Sequence, residues 1–256
     1  MKTIRKFFLL SCMLFAASAS ALMAQDARSL FDQGNRLYLE QKYPEAIQSY
    51  ETILKSGLEN GELYFNLGNA YFRSGKLGPA ILAFERARRL MPNDDDVAFN
   101  LHYANVRIVD KIEPVPQLFI YRWADALLNV FSPRTQVLLV YLSFLLTLGS
   151  FVYLLYARSF NARRIALLSG VVIGAFCMVS AIFYGINTYR ASSTIYGIVM
   201  SDVSNIKSAP DPKSSDVFVL HTGVKVQVMD EVNGWRKIRL ADGKIGWIQE
   251  REVETI

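Results

Sequence analysis

The hydropathy pattern changes texture several times along the chain. Residues 7–15 are an apolar stretch behind Lys2, Arg5 and Lys6. Between Leu30 and Ile112, apolar and polar residues alternate at helical spacing and predict packed helices. Pro114–Arg134 then sets Leu118, Phe119, Trp123, Leu127, Leu128 and Phe131 around Arg122 and Asp125, which suits a short amphipathic helix. Val137–Ala157 runs 21 residues without a charge. As a helix it spans about 31 Å, enough to cross a bilayer, and Ile165–Asn187 is a second uncharged run. After Ser192 come four short β-rich runs: Val217–Leu220, Val224–Met229, Trp235–Leu240 and Ile245–Ile248. His221-Thr-Gly223, Asn233-Gly234 and Asp242-Gly243 separate them as turns, and the spacing predicts a small barrel.

Composition agrees with this picture. The chain is 52% hydrophobic with a mean hydropathy of +0.18, which fits membrane segments. The net charge of +5 is scattered, so the expected partner is not nucleic acid; a membrane surface suits it better. The N-terminal pattern, with small residues at Ala19-Ser-Ala21 and Leu22-Met-Ala24, reads as a signal peptide over residues 1–24. An uncleaved anchor would give the same topology. Of the two cysteines, Cys12 is lost with the signal peptide and Cys177 lies in an apolar segment, so neither an intrachain disulfide nor a zinc site is expected. His102 and His221 stand far apart and read as structural. No metal, cofactor or catalytic constellation is expected.

Between the uncharged runs, residues 158–164 carry Arg158, Arg163 and Arg164, which points to a cytoplasmic loop. Both flanking regions then lie outside the cytoplasm. Neither run holds an ionisable group for a proton or ion path, so transport is disfavoured. Gly170 and Gly174 allow close helix packing, either within the hairpin or against a partner helix.

The N-terminal region repeats itself. Phe31, Phe65 and Phe99 stand 34 residues apart, as do Gly34 and Gly68, Ala46 and Ala80, and Tyr50 and Phe84. With Tyr64-x2-Leu67-Gly68-x2-Tyr71, then Ala80-x3-Phe84, Ala87 and Pro92, this resembles the tetratricopeptide repeat. The first copy has Gln33 where the family favours Leu, and a third stops at Glu113-Pro114. The resemblance implies pairs of antiparallel helices, with Asp94–Ile112 covering the last open face. Asp94-Asp-Asp96 reads as a helix cap. Repeat phase carries ten residues into a groove: Phe31, Asn35, Tyr38, Phe65, Asn66, Asn69, Phe72, Phe99, Asn100 and Tyr103. Rings with interleaved amides suit a bound peptide; packing among the rings themselves is the other reading. The cation positions of the known carboxylate clamp hold Phe31, Asp96 and Asn100, so that clamp is not expected.

The tail resembles the bacterial SH3-like domain over Thr194–Val253. The carriers are Asn205-Ile-Lys-Ser-Ala-Pro210, Gly223-x-Lys225-Val226, Gly234-Trp235 and Asp242-Gly-Lys-Ile-Gly-Trp-Ile248. Trp235 and Trp247 are either ligand platforms or supports of the barrel. Such modules bind peptidoglycan or proteins.

The expected fold is therefore a multi-domain membrane protein: a helical repeat domain, two transmembrane helices and an all-β SH3-like barrel. The expected segments are 1–24 signal peptide, 25–113 repeats, 114–135 amphipathic linker, 136–157 and 165–188 spans, 158–164 loop, and 189–256 barrel. This order resembles the BatE family of the Bacteroides aerotolerance operon. The resemblance implies a non-catalytic periplasm-facing protein of the inner membrane. Its implied partners are von Willebrand A-domain membrane proteins and a MoxR-class ATPase system. The alternative is a peptidoglycan-binding anchor acting through the barrel.

Overall fold

A computed structural model describes residues 25–116, 118–128 and 130–256; the signal-peptide segment lies outside them. The described chain divides into two compact units. Residues 25–113 and Ile195–Ile256 form one, and Pro114–Thr194 the other.

The first unit opens with five helices: α1 (residues 25–39), α2 (Tyr43–Lys55), α3 (Gly61–Arg73), α4 (Leu77–Leu90) and α5 (Asp95–Val106). Local chemistry sets their ends. Asn60 Oδ1 accepts from Leu63 N at 2.7 Å to cap α3. Asp94 Oδ1 accepts from Val97 N at 3.0 Å to cap α5. Two glycines explain the repeat spacing. A Cβ on Gly34 would lie 2.5 Å from the Tyr50 ring, and one on Gly68 would lie 2.6 Å from the Phe84 ring. The first or A helix of each repeat, α1 or α3, thus meets the second or B helix, α2 or α4, where a glycine leaves room for an aromatic ring; α5 is the A helix of the third copy. Ala46, Ile47, Tyr50, Ile53, Leu63 and Leu67 form the first core cluster.

Seven antiparallel strands follow in the order β3-β2-β6-β5-β4-β1-β7. They are β1 (Ile195–Val199), β2 (Val203–Lys207), β3 (Asp216–His221), β4 (Lys225–Val232), β5 (Trp235–Arg239), β6 (Ile245–Gln249) and β7 (Val253–Thr255). The four predicted runs are β3 to β6; β1, β2 and β7 were not legible as strands. Asn233 and Gly234 both adopt positive φ, 49° and 78°, and Val232 pairs with Trp235. That is the two-residue turn an Asn-Gly hairpin requires.

The helical repeat and the sheet share one interior. Ile198 of β1, fully buried, joins Ala80, Ile81, Phe84, Leu101 and Ala104 in a single cluster. Within the segment expected to cover the last repeat face, Ile108 packs against both this cluster and the barrel core, and Ile112 against the barrel core. Polar pairs ring the joint. The buried Glu85 carboxylate meets Arg88 at 2.5 Å and Lys225 at 3.0 Å. Arg86 reaches Glu254 and the Thr255 carbonyl, and Arg89 reaches the Ile256 carbonyl. His221 donates its backbone N–H to Asp110 at 2.6 Å, with Nδ1 3.0 Å from the same carboxylate.

The second unit holds α6 (Phe119–Leu128), α7 (Pro133–Tyr156) and α8 (Phe160–Ser193). Arg134–Tyr156 and Phe160–Arg190 are long and apolar enough to cross a membrane. Gly170 faces Ser150 and Gly174 faces Thr147, so both lie on the seam between α7 and α8. Ser150 Oγ donates to the Ala166 carbonyl at 2.7 Å across that seam. Gln136 donates to the carbonyls of Leu128 and Phe131, and Asn187 also donates to that of Leu128. These amides tie the turn after α6 to the hairpin.

Candidate functional site: the groove of the A helices

Helices α1, α3 and α5 carry all ten residues that repeat phase assigns to the groove. Nine of their side chains fall into three groups, and the tenth, Tyr38, packs edge-on against Tyr43. The asparagines pair with one another. Asn66 donates to Asn35 Oδ1 at 3.1 Å, and Asn100 donates to Asn69 Oδ1 at 2.8 Å. The same bond occurs twice, one repeat apart. Tyr50 donates a second bond to Asn35 Oδ1 at 2.7 Å. Burial pushes the Tyr50 hydroxyl well above its ordinary pKa, so it remains a donor. Each amide pair keeps one N–H2 group and one carbonyl for a ligand.

The aromatic residues divide. Phe31 packs on Tyr50 at 5.9 Å between ring centroids and lines a separate cavity with Ala27, Ile53 and Leu58. Phe65 packs on Phe84 at 6.1 Å and belongs to the core. Phe72, Phe99 and Tyr103 stay together: Phe72 lies 5.5 Å from Tyr103, and Phe99 stacks on Tyr103 at 6.4 Å. Phe99 is 67% exposed. Phe31, Phe65 and Phe99 therefore do not make one continuous ring row. The first two phenylalanines meet a B-helix ring, Tyr50 or Phe84, while α5 has no B helix behind it in the repeat.

Two linked cavities follow. One, about 190 Å³, is lined by Asn35, Tyr38, Leu39, Tyr50, Asn66 and Asn69. The other, about 510 Å³, shares Tyr38 and Asn69 with it and continues along Phe72, Phe99, Asn100 and Tyr103. Arg73 and Arg107 also line the larger cavity. Sequence reading missed both. They stand 34 residues apart, so the repeat period alone would have found them; Leu39 takes the place in the first copy. The Arg107 guanidinium lies 4.9 Å from the Phe72 ring centre and 5.0 Å from that of Tyr103, and donates to the Tyr103 hydroxyl at 2.9 Å. The Tyr38 hydroxyl beside Arg73 holds that guanidinium above the usual arginine range.

The tryptophans of the tail differ from each other. Trp235 is only 8% exposed and offers little surface to a ligand. Trp247 is half-buried, with Lys237 5.9 Å from its ring centre.

Residues 31–95 match the family model of the tetratricopeptide repeat. Residues 201–254 match that of the bacterial SH3 domain. The protein thus carries repeats of the class used for protein–protein interaction and a barrel of the class associated with cell-wall binding. No curated protein matches the chain. Solved structures that resemble it in part include NlpC2 from Trichomonas vaginalis, at 16% identity and a TM-score of 0.23. The overlap covers 25% of this chain and 25% of that one, so the chain spans a quarter of that structure's length.

Proposed function

We propose that the protein is a non-catalytic assembly protein of the bacterial inner membrane, holding protein partners in the groove of its repeat. The observation that carries this reading is the pair of linked cavities lined by exposed rings and paired asparagines. Rings take apolar side chains and amides take peptide backbone. The two helices α7 and α8 anchor the groove, with residues 158–164 in the cytoplasm and the repeat and barrel in the periplasm. The shared interior of repeat and barrel supports the hairpin topology, because two segments packed in one core must lie on the same side of a membrane. The finer reading, an aerotolerance complex with von Willebrand A-domain membrane proteins and a MoxR-class ATPase system as partners, rests on the resemblance to the BatE family alone.

Phe31 and Phe65 are poor test positions, because their rings pack on Tyr50 and Phe84. The double variant Phe99→Ala, Tyr103→Ala removes exposed groove surface with the core intact. Cross-linked complexes recovered from membranes should lose their partners in this variant. Full recovery would sink the groove reading. Topology has its own check in a Cys177→Ser background. A cysteine at Ser159 should resist an impermeant thiol reagent in spheroplasts, and one at Ser215 should react; the reverse overturns the orientation.

A second reading rests on the bacterial SH3 match and the half-buried Trp247 ring: peptidoglycan binding by the barrel. Sedimentation of the detergent-solubilised chain with peptidoglycan sacculi, and its loss in Trp247→Ala, would support it. Absence of co-sedimentation removes it.

A further inference from the structure

Repeat and barrel carry many arginines and lysines, and most of those at the joint already have an anion. Arg86 and Arg88 meet carboxylates, and so does Lys225. Among the described residues, Arg73 and Arg107 have no carboxylate within ion-pair distance, although both line the 510 Å³ cavity. That cavity's lining holds two cations and no acidic side chain. An arginine donates through five N–H groups, and Arg107 spends one on Tyr103. Its plane is braced by two rings, so a ligand need not pay to order it.

We propose that Arg73 and Arg107 receive the carboxylate of an aspartate or glutamate inside an extended segment of the protein partner. Phe99 and Tyr103 take the neighbouring apolar side chain, and the free halves of the Asn69–Asn100 pair bond the segment's backbone. An internal acidic residue fits better than a chain terminus. The cavity with Arg73 and Arg107 shares the lining residues Tyr38 and Asn69 with the smaller one, which gives a chain held at the cations an adjoining space to enter. The site is distinct from the carboxylate clamp of other repeat proteins, whose cation positions here are Phe31, Asp96 and Asn100. It stands about two helical turns further along the A helices, at the position of Leu39, Arg73 and Arg107.

This inference rests on the groove reading above, and the test separates the two. Fluorescence anisotropy of the full-length protein in nanodiscs is measured with three labelled twelve-residue peptides of otherwise identical apolar and polar sequence. The first has two internal glutamates and an amidated end, the second has glutamines there and a free C-terminal carboxylate, and the third has glutamines and an amidated end. The first should bind best, and salt should weaken it. Arg73→Gln and Arg107→Gln should each cost it about tenfold, with no change in the thermal midpoint. Arg107→Lys should restore part of the loss, since it keeps the charge but not the planar fork. Phe99→Ala should weaken all three peptides alike.

Preference for the free C-terminal carboxylate over internal glutamates would overturn the proposal. So would equal binding of all three peptides, or binding indifferent to Arg73→Gln and Arg107→Gln. If Phe99→Ala, Tyr103→Ala still abolishes partner recovery in those cases, the groove reading stands and this one falls. If neither set has an effect, both fall.

Discussion

The repeat has two faces, and their arginines are used in opposite ways. On the α4 face, Arg86, Arg88 and Arg89 all meet carboxylates or carbonyls, and Ile81 lies fully buried with Ile198 of the barrel. On the face of α3 and α5, Arg73 and Arg107 lean on tyrosine hydroxyls and rings, and Phe99 is left 67% exposed. One face is finished by the protein itself, the other is left open. A two-repeat solenoid exposes apolar surface on both sides and is marginal alone. Covering the α4 face with the barrel resolves that problem and frees the other face for a partner. The contrast separates a cation that holds the fold from one that is available to a ligand.

Breaking the covered face should cost the most. Ile198→Ala removes a fully buried side chain from the joint and should destabilise the first unit by about 2–5 kcal/mol. Thermal unfolding should then split into two transitions as repeat and barrel uncouple. A single transition at the original midpoint would show that the joint contributes nothing. Gly68→Val should come next, since its Cβ would crowd the Phe84 ring; overpacking of this kind costs about 1–3 kcal/mol by denaturant titration. Glu85→Gln keeps the shape but loses the charge shared by Arg88 and Lys225. Those partners are 48% and 32% exposed, so water can take them over, and the loss should be about 1 kcal/mol. On the open face the same measurement should barely move. Phe99→Ala should change stability by less than about 0.5 kcal/mol while removing partner binding. A large stability loss there would erase the distinction between the faces.

Much of this was legible from residue order, and particular residues show where legibility stopped. Gly34 and Gly68 marked the helix contacts because a period of 34 exposes any position that cannot change. Asn233-Gly234 marked the β4–β5 hairpin because few pairs tolerate two positive φ values. The groove was only half read. Asn35, Asn66, Asn69 and Asn100 were placed by phase, but their pairing depends on the approach of neighbouring A helices. Phe31, Phe65 and Phe99 looked equivalent in sequence, yet only Phe99 is largely exposed, because Tyr50 and Phe84 meet the other two. Arg73 and Arg107 are readable by the same period, but their seat on the wall of the cavity is not.

Local and periodic features needed no tertiary structure: the repeat, the two uncharged runs, the turns of the tail and the aromatic–asparagine grammar. Each rests on a few neighbouring residues or on a fixed spacing, and such constraints act wherever the chain goes. The union of repeat and barrel was decided only in three dimensions. Ile81 and Ile198 stand far apart in the chain and each reads as an ordinary core residue. Which apolar surface covers which is settled by burial, a property of the assembled molecule, and that choice also determines which cations remain open to a partner.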